Sequence, residues 1–260
     1  MKLLRASHFG PTCLVTVLTL LLSHNFFTWP NSALIAVAIF LGQLSVGWSN
    51  DILDLESDRL QNRLDKPLVE GELSETFLKR ALILDLLLCL IATFSGPLGF
   101  RGGLVHLLGL SCGLSYNLYF KFRRTSPLPY VLAFAALPSM PYVASNQTPP
   151  LWLVISGALF GFAAHFANVL KDMEADRKIG INGLPQILGT TKSILLSGGA
   201  LILIASILAN QSVHYRSWIL LATAIGLCFL LIRPKKFGFP VIMVLAMFDV
   251  TTLLFSGVLR

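Results

Sequence analysis

Charge is what this sequence has least of. Only 13% of its 260 residues are Asp, Glu, Lys or Arg, about half the share of an ordinary soluble domain. Cysteine is scarce as well. Cys13, Cys89, Cys112 and Cys228 stand alone in apolar stretches, none in a CxxC pair, and read as small buried hydrophobes. The alternating segments of about ten residues that build a membrane barrel are missing. So is a basic stripe interleaved with aromatics, which leaves no case for a nucleic-acid partner.

What is there is apolar. Hydrophobic residues make up 55% of the chain and the mean hydropathy is +0.73, more than a soluble core can hide. The bilayer is the expected solvent, and without a barrel pattern the spanning elements must be helices. Runs of roughly 17–25 apolar residues suggest nine spans, at about 12–29, 32–49, 77–95, 103–120, 127–145, 151–169, 193–210, 217–232 and 240–258. Pro97, Pro138 and Pro141 should kink their helices. The first run follows Lys2 and Arg5 but precedes no small-x-small cleavage site, so it reads as a retained helix.

Threading nine spans from a cytoplasmic N-terminus puts 17 of the 20 basic residues on the cytoplasmic side and leaves Arg101, Arg216 and Arg260 on the other. That is the bias of the positive-inside rule. The net charge of +7 therefore reads as topology in the plasma membrane and attraction to anionic lipid.

The acids are more unevenly placed still. Of 13, 11 lie in the two segments that follow spans two and six. These segments match each other. Asn50, Asp54, Glu56, Asp58, Arg59, Pro67 and Gly71 recur as Asn168, Asp172, Glu174, Asp176, Arg177, Pro185 and Gly189, each 118 residues later. The match suggests a duplicated four-helix unit, about 1–125 and 126–235, within one membrane-embedded domain. Parallel repeats are one way to build a site in a membrane protein.

If each helix continues through its motif, Asn50, Asp54 and Asp58 fall on one stripe at i, i+4 and i+8, with Asp51 beside them, and Asn168, Asp172 and Asp176 form a second stripe. Like charges at this spacing repel, and charge near hydrocarbon is costly, so a cation on the stripe makes sense of both. The donors are hard oxygens with no Cys or His cluster, which favours Mg²⁺. Mg²⁺ takes one or two carboxylates and shares substrate phosphates. Two stripes suit two ions and a diphosphate. The expected metal ligands are Asp51, Asp54, Asp58, Asp172 and Asp176, with Asn50 and Asn168 as helpers. Asp54, Asp58, Asp172 and Asp176 are the acids expected to carry the chemistry. Lys66, Lys121, Arg123, Lys171 and Arg177 are candidates for the diphosphate oxygens, as is Asn168.

These residues resemble the UbiA family of membrane prenyltransferases. Its first motif, NDxxDxxxD, stands complete as Asn50-Asp51-Ile52-Leu53-Asp54-Leu55-Glu56-Ser57-Asp58, followed by Asp65-Lys66-Pro67-Leu68 and Gly71. Its second, DxxxD, stands as Asp172-Met173-Glu174-Ala175-Asp176, followed by Arg177, Gly180 and Leu184-Pro185. Tyr116 to Arg124 is similar to the family's Tyr…Lys-Arg segment, and Arg5 to Pro11 to its Arg-Pro start. The resemblance implies an all-α bundle of nine transmembrane helices that transfers a prenyl chain from a polyprenyl diphosphate to a small acceptor. The acceptor is usually aromatic, as in 4-hydroxybenzoate polyprenyltransferases and quinone biosynthesis. An allylic cation needs a dry site with π faces, for which Tyr116, Tyr119, Phe162 and Phe166 are candidates. His165, one turn before Asn168, is a candidate for lining the prenyl or acceptor pocket. Asp85 and Asp249 lie inside spans and are functional candidates by position.

Two other readings share some of these features. A non-aromatic acceptor, such as a sugar phosphate, glycerol phosphate or haem, would use the same diphosphate site. A cation-coupled transporter would instead place its acids near mid-membrane.

Overall fold

A computed structural model describes residues 2–170, 172–178, 180–212, 218, 221, 225, 238–255 and 259. All regular structure among them is helical. In chain order the helices are α1 (Lys2–Arg5), α2 (Phe9–Ser23), α3 (Trp29–Leu60), α4 (Glu75–Ser95), α5 (Gly99–Leu118), α6 (Pro127–Ala144), α7 (Leu151–Leu170), α8 (Met173–Lys178), α9 (Leu184–Leu188), α10 (Thr190–Gln211) and α11 (Gly238–Phe255), with a 3₁₀ turn at Phe120–Phe122 between α5 and α6.

The long helices α2, α3, α4, α5, α6, α7, α10 and α11 stand at eight of the nine expected spans, with the short helices α1, α8 and α9 beside them, so the count of nine is not shown among the described residues. The expected span at 217–232 lies almost wholly outside the described residues. By length and composition, four described helices suffice to cross a membrane: α3, α6, α7 and α10. Local signals explain the boundaries. Pro30 sits in the first turn of α3, where its missing N–H costs nothing. Ser74 caps α4, its hydroxyl accepting from the Phe77 amide at 3.2 Å, as N-cap serines do. Pro138 and Pro141 lie inside α6, but Pro97 falls in the turn between α4 and α5 and ends a helix where a kink was expected.

Helix α4 shows how these helices meet their surroundings. Glu75, Lys79, Arg80 and Asp85 give it four charges, many for a membrane span. Yet it buries Asp85, Cys89 and Thr93 and exposes Ile83, Leu84, Leu87, Leu88 and Ile91. Water would favour the reverse arrangement. An aliphatic outer face over a polar inner seam is what hydrocarbon selects, so the chain is membrane-embedded. The seam is satisfied internally. Ser45 of α3 donates to the Asp85 carboxylate at 2.7 Å, and the Thr93 hydroxyl meets Nδ1 of His106 on α5 at 2.9 Å.

The chain divides into two compact units, 1–119 with 136–149 and 120–135 with 150–260. Each carries one acidic motif. The first unit packs Ala6, Leu44, Trp48, Leu55, Leu68 and Leu78 into one cluster and Ile35, Ile39, Leu98 and Met140 into another. The second packs Ala163, Ala167, Ile194, Leu201, Ile204, Leu208, Ile242 and Leu245 into its core.

One close approach in the first unit fixes where the chain's start lies against α3. A Cβ on Gly47 would sit 2.5 Å from the Ser7 carbonyl oxygen. Gly47→Ala must therefore push backbone apart, and overpacking of this kind costs about 1–3 kcal/mol. Gly10→Ala, where nothing lies within 4 Å, should be neutral or stabilising by up to about 1 kcal/mol through helix propensity. Thermal unfolding of the two variants in detergent checks this. Equal stability of Gly47→Ala and wild type would show that the contact is not formed.

Candidate active site

In the first unit α3 continues without a break through Asp58 to Leu60. Asn50, Asp54 and Asp58 thus share one helical stripe, as their spacing predicts. Asp51 is 2% exposed and Asp58 6%, while Asp54 is half-buried. The chain then doubles back. Asn62 takes a positive φ of 53°, and the Arg63 amide bonds to the Asp58 carbonyl at 3.0 Å.

That reversal delivers Lys66 to the motif. Its ammonium meets Oδ1 of Asp51 at 2.5 Å, with both side chains buried. Lys66 was expected at the diphosphate, and here it neutralises a carboxylate of the motif itself. His8, which belongs to neither motif, joins them. Its Nε2 is 3.3 Å from Asp51 Oδ1, 3.3 Å from Asn50 Nδ2 and 3.3 Å from Lys66 Nζ.

The loop after α3 is strapped down by the chain's first residues. Arg5 reaches Glu72 at 2.9 Å and Glu70 at 3.4 Å and donates to the Asp65 carbonyl at 3.2 Å. Trp48 Nε1 donates to the Leu3 carbonyl at 2.9 Å. Arg5 thus serves the strap. Slight burial raises the Asp65 carboxyl, but the hydrogen bond and charge of Arg63 outweigh it and hold the group below its ordinary value. At the end of α5, Asn117 donates to Val46 O and Ser49 Oγ, each at 2.8 Å, which pins that helix beside Asn50. Tyr116 is half-buried and Tyr119 is about half exposed.

The second unit departs from the expected pattern. Helix α7 ends at Leu170 and α8 begins at Met173, so Asn168, Asp172 and Asp176 do not share one helix. Lys171 lies outside the described residues. Asp172 occupies the residue before α8, a position that Asp favours. The Asp176 amide still bonds to the Asp172 carbonyl at 2.8 Å, which keeps those two acids one turn apart.

The loop that follows is held by Gln186, a buried residue. Its amide donates to Asp176 Oδ2 at 2.8 Å. Its backbone carbonyl accepts from Arg177, through Nε at 3.1 Å and through Nη2. Ser126 closes the same loop: its hydroxyl accepts from the Leu184 amide at 3.0 Å and lies 3.0 Å from Nε2 of His165. His165 is buried and packs its ring 5.0 Å from Tyr130 and 5.8 Å, edge-on, from Phe166. Phe162 and Phe166 are themselves 4.6 Å apart. Asn168 reaches the Tyr130 hydroxyl at 3.5 Å. Lys121 is buried with its ammonium 5.1 Å from the centre of the Phe122 ring, and Arg123 is exposed.

The sequence therefore pointed to Asn50, Asp51 and Lys66, which come together, and to Asp176 and Arg177, which meet at Gln186. It missed His8, Asn117, Ser126, Tyr130 and Gln186. None of these stands in either acidic motif, and all act through contacts made only in the folded chain.

Among the described residues no three His, Cys, Asp or Glu side chains gather around one point. On a helix, residues four apart are separated by about 6 Å along the axis, so a stripe offers one or two carboxylates per ion. That is the number Mg²⁺ takes when it shares phosphate oxygens. The residues fit such an ion in a second way. Oδ2 of Asp51 is buried and has no hydrogen-bond partner among the described residues, and an orphaned anionic oxygen of this kind calls for a cation.

Comparison with known proteins agrees with this architecture. A solved structure of digeranylgeranylglyceryl phosphate synthase superposes with a TM-score of 0.73 at 19% identity, covering 98% of this chain and 96% of that one. A UbiA homologue from Archaeoglobus fulgidus bound to GPP and Mg²⁺ superposes with a TM-score of 0.66 at 17% identity, over 97% of this chain and 98% of that one. Among sequences, the bacteriochlorophyll synthase 33 kDa chain of Rhodobacter capsulatus is 27% identical over 184 residues, which is 64% of this chain. The chain spans about 59% of the length of that relative. The family model for UbiA prenyltransferases matches residues 10–238, and with the motifs and the helical architecture in agreement, this chain belongs to the UbiA prenyltransferase family.

Proposed function

We propose that this chain transfers a prenyl group from a polyprenyl diphosphate to a small aromatic acceptor, in a Mg²⁺-dependent reaction at the cytoplasmic face of the plasma membrane. The observation that carries the reading is the buried Asp51 carboxylate, with one oxygen on Lys66 and the other without a hydrogen-bond partner among the described residues. Structural neighbours described as bound to GPP and Mg²⁺, and to DMAPP and Mg²⁺, support it.

Asp51, Asp54 and Asp58 would hold Mg²⁺ at the first motif, and Asp172 and Asp176 at the second, with Asn50 and Asn168 beside them. The matched spacing of the two motifs supports a common ligand and an internal duplication. Bound Mg²⁺ would stabilise the negative charge that grows on the departing diphosphate. Lys121, Arg123, Lys171 and Arg177 would supply positive charge for the remaining oxygens, while Lys66 stays on Asp51. The rings of Tyr116 and Tyr119 in the first unit, and of His165 and Tyr130 in the second, are each candidates to present a π face to the allylic cation. Electron density on the acceptor ring then captures the prenyl carbon, and the ring proton leaves. Bases grouped toward one side of the sequence-derived topology support a cytoplasmic N-terminus.

Two predictions test this. Purified protein in detergent should release diphosphate from a radiolabelled polyprenyl diphosphate only with Mg²⁺ and acceptor present, and chelation should abolish the release. Asp54→Ala and Asp172→Ala should each lower the rate by about a hundredfold or more. Release that persists in both variants would sink the mechanism, and ion uptake into liposomes without prenyl transfer would favour a transporter.

In a panel of acceptors, electron-rich phenols should be prenylated on a ring carbon, giving products that survive phosphatase treatment. Label transferred instead to glycerol phosphate or a sugar phosphate would replace the aromatic acceptor and leave the diphosphate site as argued.

A further inference from the structure

The polar contacts of the first motif converge on a residue outside both acidic motifs. His8 precedes α2 with φ 52° and ψ 55°. This left-handed region is costly for side-chain-bearing residues, although His is among the types that enter it more often. Glycine adopts it freely. A residue held there persists only when its surroundings over-determine it, and the contacts of His8 do so. Its Nε2 lies 3.3 Å from each of Asn50 Nδ2, Asp51 Oδ1 and Lys66 Nζ.

The atom offers either a lone pair to the Lys66 ammonium and the Asn50 amide or a proton to Asp51. In both cases the ring bridges the motif's first two residues and their counter-ion. The imidazole is 46% exposed while the Asp51 side chain behind it is 2% exposed, so the ring stands on the open side of the buried pair. A ring kept for packing alone would be covered.

We propose that His8 is a positioning residue for the diphosphate site. It holds Lys66 against one oxygen of Asp51 and Asn50 beside the pair, so that the other oxygen is left for the metal. The inference rests on the prenyl-diphosphate reading above. Residues that orient a metal ligand from behind typically matter by 10–100-fold in metal affinity.

His8→Gly separates the side chain from the turn, because glycine keeps the backbone conformation without strain. Its thermal stability in detergent should equal or exceed that of wild type. Isothermal titration of the purified full chain with MgCl₂ and inorganic diphosphate should show affinity lower by about 10–100-fold. The KM for the prenyl diphosphate should rise in proportion with kcat nearly unchanged, the pattern of lost binding. His8→Asn, which tolerates the same backbone region and holds an amide oxygen toward Lys66, should recover most of the loss. Wild-type affinity and KM in His8→Gly would overturn the proposal. So would a His8→Gly protein that melts well below wild type, since the side chain would then serve folding. If wild type itself neither binds Mg²⁺ with diphosphate nor transfers a prenyl group, the underlying reading fails instead, whatever the variants do.

Discussion

The first unit is organised around one carboxylate that must be neutralised where it is buried. Asp51 sits on a helix that runs out of an apolar stretch, 2% exposed, and an unpaired charge there would be strongly unfavourable. Lys66 supplies the counter-charge, and it can do so only because the chain turns back within a few residues of Asp58. The positive φ of Asn62, the bond from Arg63 to the Asp58 carbonyl and the strap of Arg5 to Glu70 and Glu72 all serve that reversal. Removing one partner of a buried ion pair costs roughly 3–5 kcal/mol, far more than the exposed strap pairs contribute. The order of dependence therefore runs from Asp51 to Lys66 to the loop, and from the loop to the chain's first helix.

The second unit repeats the path with different chemistry. Positions 8 and 66 touch in the first unit, His8 to Lys66. The positions 118 residues later, Ser126 and Leu184, touch in the second, hydroxyl to amide. A residue entering a long helix thus closes on the loop after the acidic motif in both units. In the first the closure is ionic and engages the motif's second residue. In the second it is a neutral backbone contact, and Gln186 and Arg177 take over the task of holding the last acid. Equal path with unequal side chains is consistent with the internal duplication proposed above.

What could be read from the sequence was what is local. Apolar runs marked most of the long helices, and the i, i+4, i+8 spacing at 50–58 placed three motif residues on one stripe of α3. The same spacing at 168–176 misled, because spacing does not reveal a helix end. Asp172, which lies outside both α7 and α8, divides the second stripe, and the bond from the Asp176 amide to its carbonyl preserves the last turn. His8, Asn117, Ser126, Tyr130 and Gln186 were illegible for another reason. Each acts on a residue between 9 and 71 positions away, and ordinary polar residues carry no mark of such partners. In the reading proposed above the motifs mark the diphosphate end of the reaction, because residues that share an ion lie close together in sequence. An acceptor pocket gathers single residues from many helices and leaves no such cluster.

Helix α4 gives this contrast its energetic basis. Judged by composition it is a poor span, with Glu75, Lys79, Arg80 and Asp85 within its length. Judged by faces it is a good one, because the charge that lies deepest, Asp85, points inward to Ser45 and the outward residues are Ile and Leu. Hydrocarbon constrains only the surface it touches, and a membrane protein can keep polar groups in its seams as long as they are paired there. That freedom is what allows an enzyme of this family to combine a greasy exterior, suited to a prenyl tail, with acids and bases at the point where the diphosphate must be held. The scarcity of charge in the sequence is then the consequence of a large lipid-facing surface, and the few charges that remain are concentrated where an interior partner or a ligand can neutralise them.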